Sequence, residues 1–202
     1  MADVKKTKKV KEAPHLTRDD WLDAAFSAVV EGGFDQVRVL SIAASLGVTR
    51  GSFYWHFVDH ADLVKALLAR WSERELAVDA IFKMEASADP QTDLERLLDT
   101  ALAHAGKDLE NMRFELALRG LGRRDVHVAK MLLEVDQMRM QLFETNFLRL
   151  TKDPVTAAEL AALFYLAIVG SYQALSRPSS TELVKQYLNG LIAKYLIHQQ
   201  RV

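Results

Sequence analysis

Arg50, Ser52, Tyr54 and Trp55 follow directly on Gly47-Val48-Thr49. A guanidinium, hydroxyls and aromatic edges packed this closely suit recognition of base edges and phosphates. Their spacing sets them on the outer side of a short helix whose inner side is Phe53 and Phe57. The segment before it, Val39 to Leu46, places Ile42, Ala43 and Leu46 on one helical face. Gly47 suits the left-handed turn that ends that helix. Thr49 then caps the second helix, its hydroxyl accepting an orphan backbone N–H. Helix, three-residue turn, helix is the arrangement that presents a second helix to the DNA major groove.

The elements around this unit also read as helix. Thr17 with Asp20 forms a capping-box variant, opening a helix that aligns Leu22, Ala25, Phe26 and Val29. Gly32-Gly33 ends it. Asp59 with Asp62 repeats the opening signal for a long helix to about Met84, with Leu63, Ala66, Leu67 and Trp71 on its apolar face. Residues 86–90 break the pattern. Five further helices are expected over about 91–105, 108–119, 126–150, 155–176 and 180–199, separated by Gly120-Leu121-Gly122, Lys152-Asp153-Pro154 and Arg177-Pro178-Ser179. No stretch alternates with period two. The fold class is all-α: a three-helix helix-turn-helix unit joined by a long helix to a C-terminal helical domain whose last helices suit dimerisation. The expected divisions are a flexible basic arm over 1–14, a DNA-binding domain over 15–60, and a third region over 61–202 that includes the long helix.

Charge is distributed unevenly. The net charge is only −1. The arm nevertheless sets Lys5, Lys6, Lys8, Lys9 and Lys11 against Asp3 and Glu12. Residues 15–60 set Arg18, Arg38 and Arg50 against Asp19, Asp20, Asp23, Glu31, Asp35 and Asp59. A DNA reader so balanced must place its few cations well or lean on the arm, because phosphate neutralisation supplies much of the affinity. The arm reads either as a solvated tail or as a backbone or minor-groove contact through residues such as Lys8 and Lys9. There is no cysteine, hence no disulfide or thiolate metal site. The lysine-rich start lacks an apolar signal core, and the longest apolar run, residues 160–170, is about half of a bilayer span. A cytoplasmic protein that does not enter the membrane is expected.

Residues 17–64 closely resemble the DNA-binding domain of TetR/AcrR-type transcriptional regulators. The resemblance is carried by Gly33-Phe34, Ile42-Ala43, Gly47-Val48-Thr49-Arg50-Gly51-Ser52-Phe53-Tyr54, His56-Phe57 and Leu63. It implies a homodimer on a near-palindromic double-stranded operator, usually a repressor, whose head separation responds to a small-molecule effector. Two reading heads must then sit about one helical turn, roughly 34 Å, apart. By this resemblance Thr49 adds a phosphate contact to its capping role, and Tyr54 and His56 match positions that touch phosphates. Arg50 either forks onto guanine or clamps phosphate. Ser52 and Trp55 meet base edges or a thymine methyl, and Arg18 belongs to the same surface. Three departures stand out. Arg38 replaces a Ser or Thr cap and adds a cation, Leu40 replaces a polar position, and His60 replaces the usual Lys.

The C-terminal half carries Arg113, Glu115 and Arg119 on one helix and Asp136, Gln137 and Arg139 on the next, among Met and Phe residues. Such a lining would suit an effector pocket, with Phe114, Phe164 and Tyr165 as its candidate residues, although ordinary core packing accounts for the same residues. Leu183, Tyr187, Leu191 and Tyr195 form a seam on the last helix and are the candidate dimer contacts. No cofactor or metal is expected: His56 and His60 lie four apart, but Asp59 starts a new helix between them. An enzyme is disfavoured. The chain has no phosphate-binding glycine loop, no cysteine nucleophile, no serine elbow and no Glu-x-x-His carboxylate pairing. The remaining alternative is a helical dimeric binding module that acts through a protein partner without strong operator affinity.

Overall fold

The computed structural model describes residues 16–84, 87–106, 109–173 and 183–191, and every regular element among them is helical. The arm with Lys8 and Lys9, and Tyr195 at the other end, lie outside the described residues. Helix α1 (Arg18–Gly32) opens with the expected reciprocal cap. The Thr17 hydroxyl accepts from Asp20 N at 3.3 Å, while the Asp20 carboxylate accepts from Thr17 N at 2.6 Å. It ends at Gly33, whose φ of 83° lies in the left-handed region. A 3₁₀ turn (Phe34–Gln36) leads into α2 (Val39–Ser45). Gly47, at φ 69°, then turns the chain.

Helix α3 (Arg50–Phe53) is one α-turn long, and it tightens into i→i+3 bonds. Trp55 N donates to Ser52 O at 3.3 Å and His56 N to Phe53 O at 3.0 Å. Thr49 stands at its N-cap in extended conformation, but its side chain makes no capping hydrogen bond. The expected hydroxyl cap is therefore corrected: the first turn is closed by the Thr49 carbonyl, which accepts from Ser52 N at 3.0 Å.

Helix α4 (His60–Met84) is the long helix, roughly 37 Å at about 1.5 Å per residue. Its start is capped by Asp59, which accepts from Asp62 N at 2.8 Å, while the Asp62 carboxylate accepts from Val58 N at 3.1 Å. Helix α5 (Pro90–Gly106) begins with proline in the first turn, where no N–H is needed. Helices α6 (Leu109–Gly122), α7 (Val126–Thr151), α8 (Pro154–Gln173) and α9 (183–191) complete the described chain. The Gly120-Leu121-Gly122 stop falls inside the last turn of α6 rather than after the helix.

Two apolar cores organise these helices. The first joins Trp21, Ile42, Phe53, Phe57, Leu63 and Leu67 of the head with Phe114 and Leu118 of α6 and Val128, Leu132 and Val135 of α7. The hydrophobic packing thus continues past residue 60. Phe114 stacks on Phe26 of α1 at 4.9 Å and meets Phe34 edge-on at 5.7 Å. The second core gathers Leu94, Leu98, Phe143, Phe147, Leu160, Phe164, Ile168 and Leu188 from α5, α7, α8 and α9.

Helix α8 departs from its sequence reading. An 18-residue window, Pro154–Ser171, is long and apolar enough by composition to cross a bilayer, which the shorter run in the sequence understated. It packs along α7 and sets Tyr165 among polar partners, as a core helix does. One side of it stays open: Leu163 and Leu166 are exposed, the latter by 67%.

Gly47→Ala should cost about 1–2 kcal/mol, because a Cβ at positive φ crowds its own carbonyl. Urea denaturation of the variant against the parent measures this. No loss would mean that the turn relaxes out of the left-handed region.

Candidate nucleic-acid interface

The reading surface is built outward from a buried aromatic stack. Trp21 and Phe53, both fully buried, meet edge-on at 5.3 Å, and Phe53 stacks with Phe57 at 5.5 Å. This anchors the inner side of α3 and leaves Arg50, Tyr54 and Trp55 exposed, with Ser52 half-buried beside them. Trp55 is 87% exposed and Leu40, near the start of α2, 66%.

Most of the predicted cations have internal tethers. The Arg18 guanidinium sits 4.8 Å above the Phe57 ring, at the edge of the aromatic stack. Arg38 Nε donates to Asp35 O at 3.1 Å, so the residue that replaces a capping Ser or Thr closes the 3₁₀ turn instead. Arg50 Nη2 donates to the Tyr54 hydroxyl at 2.8 Å. His60 Nε2 lies 2.6 Å from Val37 O. A carbonyl only accepts, so Nε2 carries a proton, and in the neutral ring Nδ1 is left as an acceptor. His60 can therefore donate to a phosphate only when doubly protonated, which a lysine there would not require. His56 is half-buried near Asp20, whose carboxyl is held below its usual pKa first by the Thr17 hydrogen bonds and to a small extent by His56.

Behind the head lies a polar cluster that sequence reasoning met only in part. Arg139 of α7 donates from Nη1 and Nη2 to the two oxygens of Glu115 on α6, both at 3.0 Å. Its Nη2 also reaches Glu75 of α4 at 2.7 Å. Arg119 of α6 bonds Glu115 at 2.7 Å, forks onto Asp136 of α7 at 2.8 and 3.0 Å, and touches the Tyr165 hydroxyl of α8 at 3.3 Å. That hydroxyl donates to Asp136. Burial alone would raise the Glu115 pKa, but the charges and hydrogen bonds of Arg139 and Arg119 outweigh it and hold the carboxyl below its usual range. Burial, then the bond to Asp136, pushes Tyr165 up to about 12.

Glu115/Arg119 and Asp136/Arg139 were visible as polar anchors at helical spacing. Glu75 was missed, because one acid on a charged helix carries no signal until a partner 64 residues away is placed beside it. Arg113 and Gln137 are exposed. The three pocket candidates separate. Phe114 is sealed into the first core, Phe164 is sealed into the second against Phe147 at 5.0 Å, and only Tyr165 reaches the polar cluster. Phe114 and Phe164 are thus filled packing positions in separate cores.

A second ion pair joins Ser87, α5 and α7. Asp93 on α5 accepts from Arg149 Nη1 of α7 at 2.6 Å and from Ser87 N at 2.9 and 3.0 Å, while Arg149 Nη2 donates to Ser87 O. The Arg149 hydrogen bond, more than the opposing burial, holds the Asp93 carboxyl below its usual pKa.

Residues 22–67 match the family model described as bacterial regulatory proteins, tetR family. The head over these residues is thus a tetR-type DNA-binding unit. The HTH-type transcriptional regulator TtgR of Pseudomonas putida is 34% identical over 91 residues, 45% of this chain and 43% of that protein. The chain thus spans less than half of that relative. The HTH-type transcriptional repressor BepR of Brucella suis is 27% identical over 168 residues, 77% of this chain and 78% of the repressor. A putative transcriptional regulator from Saccharomonospora viridis shares the fold over 87% of this chain and 95% of its own, with a TM-score of 0.75 at 20% identity. A TetR transcription regulator from Haloarcula marismortui does so over 86% and 94%, with a TM-score of 0.71 at 17% identity. The TetR family is one of regulators, not enzymes, and its helix-turn-helix is the unit assembled here around Phe53.

Glu115→Ala should cost about 3–5 kcal/mol, because it strips a buried partner from two arginines at once; urea titration checks this, and a loss under about 1 kcal/mol would show that water replaces the carboxylate. Asp93 has a folded pKa below its unfolded one. Its stabilisation is therefore present above the ordinary carboxylate range and lost as pH falls through the folded value. Asp93→Asn should flatten the acid limb of a stability-against-pH curve, and an unchanged limb would show that Arg149 contributes nothing there.

Proposed function

We propose that this chain is a homodimeric, operator-reading transcriptional repressor whose DNA binding is controlled by a small-molecule effector. The observation that carries this is the exposed group of Arg50, Tyr54 and Trp55 on a helix fixed from behind by the Trp21–Phe53–Phe57 stack. In this reading α3 enters the major groove, with Arg50 and Ser52 at base edges and Trp55 or Leu40 against a thymine methyl. Thr49, Tyr54, His56, Arg18, Arg38 and, when doubly protonated, His60 hold the backbone. The arm with Lys8 and Lys9 adds charge. The proposed divisions remain the arm over 1–14, the head over 15–60 and the effector and dimer region over 61–202, inside the cytoplasm.

The dimer is supported by apolar surface that the monomer leaves open. Leu163 and Leu166 on α8 and Tyr187 and Leu191 on α9 are exposed, Tyr187 by 60%, while Leu188 turns inward to the second core. Leu183 is half-buried on the same helix. A two-fold axis through these helices would cover the patch.

Effector control needs a part with two arrangements that ligand and DNA favour differently. The polar cluster suits that role, because Glu75 sits one turn beyond Trp71 on the helix that carries the head. The Saccharomonospora viridis regulator was solved in complex with choline. For this chain we propose an effector without naming its class.

Selection of bound sequences from random duplex DNA should enrich an inverted repeat, and titration with salt should give a steep loss of affinity on the winner. A folded dimer that enriches nothing would favour the module that acts through a protein partner. Leu166→Glu should give a monomer by light scattering and abolish binding to the repeat. A variant that stays dimeric would move the interface elsewhere.

A further inference from the structure

Given operator reading, on which this inference rests, we infer that Tyr54 is a positioning residue for base recognition: its hydroxyl and ring hold the Arg50 guanidinium where it reads one base pair in each half-site. Arg50 Nη2 donates to the Tyr54 hydroxyl at 2.8 Å, and the guanidinium carbon lies 5.7 Å from the Tyr54 ring centroid. Tyr54 is itself fixed, its ring edge-on to Phe53 at 5.3 Å and 81°. Phe53 in turn is fully buried against Trp21. A continuous line of contacts therefore runs from the core of the head to an exposed arginine.

Two physical consequences follow. A free arginine loses rotamer freedom when it forks onto a base, and one already held in place loses less, so binding is stronger where the geometry is right. It is also more selective, since a guanidinium that cannot swing aside meets a wrong base with unpaired donors. The bond to tyrosine occupies one of five N–H groups, so four remain, two of which can fork onto guanine O6 and N7. A phenol hydroxyl accepts and donates at once. With Arg50 as its donor, the Tyr54 hydroxyl keeps its own proton to donate to a phosphate oxygen, which would link the backbone contact to the base contact. A phosphate contact alone would give Tyr54 no effect on sequence preference.

Tyr54→Phe keeps the ring and removes the hydroxyl. Affinities of the parent, Tyr54→Phe, Arg50→Ala and the double variant would be measured on the selected operator, on its single-base variants and on random DNA, with each variant's folding checked by thermal melting. The base read by Arg50 is the position where Arg50→Ala flattens preference, by roughly five- to a hundredfold for a bidentate arginine–guanine pair. Tyr54→Phe should lose several-fold discrimination at that same position, keep preference elsewhere, and have no such effect in the Arg50→Ala background. A uniform loss on all sequences, equal with and without Arg50, would overturn the inference and leave Tyr54 a phosphate contact. So would unchanged discrimination, or an Arg50→Ala variant that flattens no position. If the parent itself enriches no sequence, operator reading fails first, before any variant is made.

Discussion

Arg139 holds the molecule together at the point where its parts meet. Its guanidinium bonds both oxygens of Glu115 on α6 and one of Glu75 on α4. Through Glu115 the same network reaches Arg119, Asp136 and Tyr165. Four helices thus share one set of charge-assisted bonds, in a place where each group is mostly withdrawn from water. Such a set is costly to form and costlier to leave half-made. It therefore favours one relative placement of α4, α6, α7 and α8 over near neighbours that apolar packing would tolerate.

The position of the head depends on that placement. Helix α4 begins inside the head core at Leu63 and Leu67 and reaches the polar network at Glu75. Phe114 provides a parallel, apolar connection, seated between Phe26 and Phe34. The head is thus joined to α6 by stacked rings and, through α4, to α7 by an ion pair. Farther along, Asp93 and Arg149 tie Ser87 to α5 and α7.

At the surface the same logic recurs on a smaller scale. A buried pair, Trp21 and Phe53, fixes a short helix whose own hydrogen bonds tighten after one turn. Such a helix would be unstable alone. The exposed groups inherit their positions from the core, and several are further restrained by Phe57, Asp35, Tyr54 and Val37. The acidic balance of residues 15–60 leaves few cations, and Arg18, Arg38 and Arg50 each lean on a neighbouring group.

Local signals in the chain determined the all-helical class, the helix-turn-helix and most helix ends. Those depend on neighbours in sequence: Thr17 with Asp20, Gly33 and Gly47 at positive φ, and the i, i+3, i+4 spacing of Leu63, Leu67 and Trp71. The inward setting of Phe53 and Phe57 was legible for the same reason. What joins distant segments was decided only in the tertiary structure. Phe114 and Phe164 look alike in sequence yet belong to different cores, and Glu75 acquires its meaning only when α7 brings Arg139 alongside. The apolar stripe of α8 shows why: periodicity tells which residues share a helix face, but not whether that face meets α7 or stays open, as at Leu166. Side-chain partners chosen across long loops are set by global packing, which local spacing cannot encode.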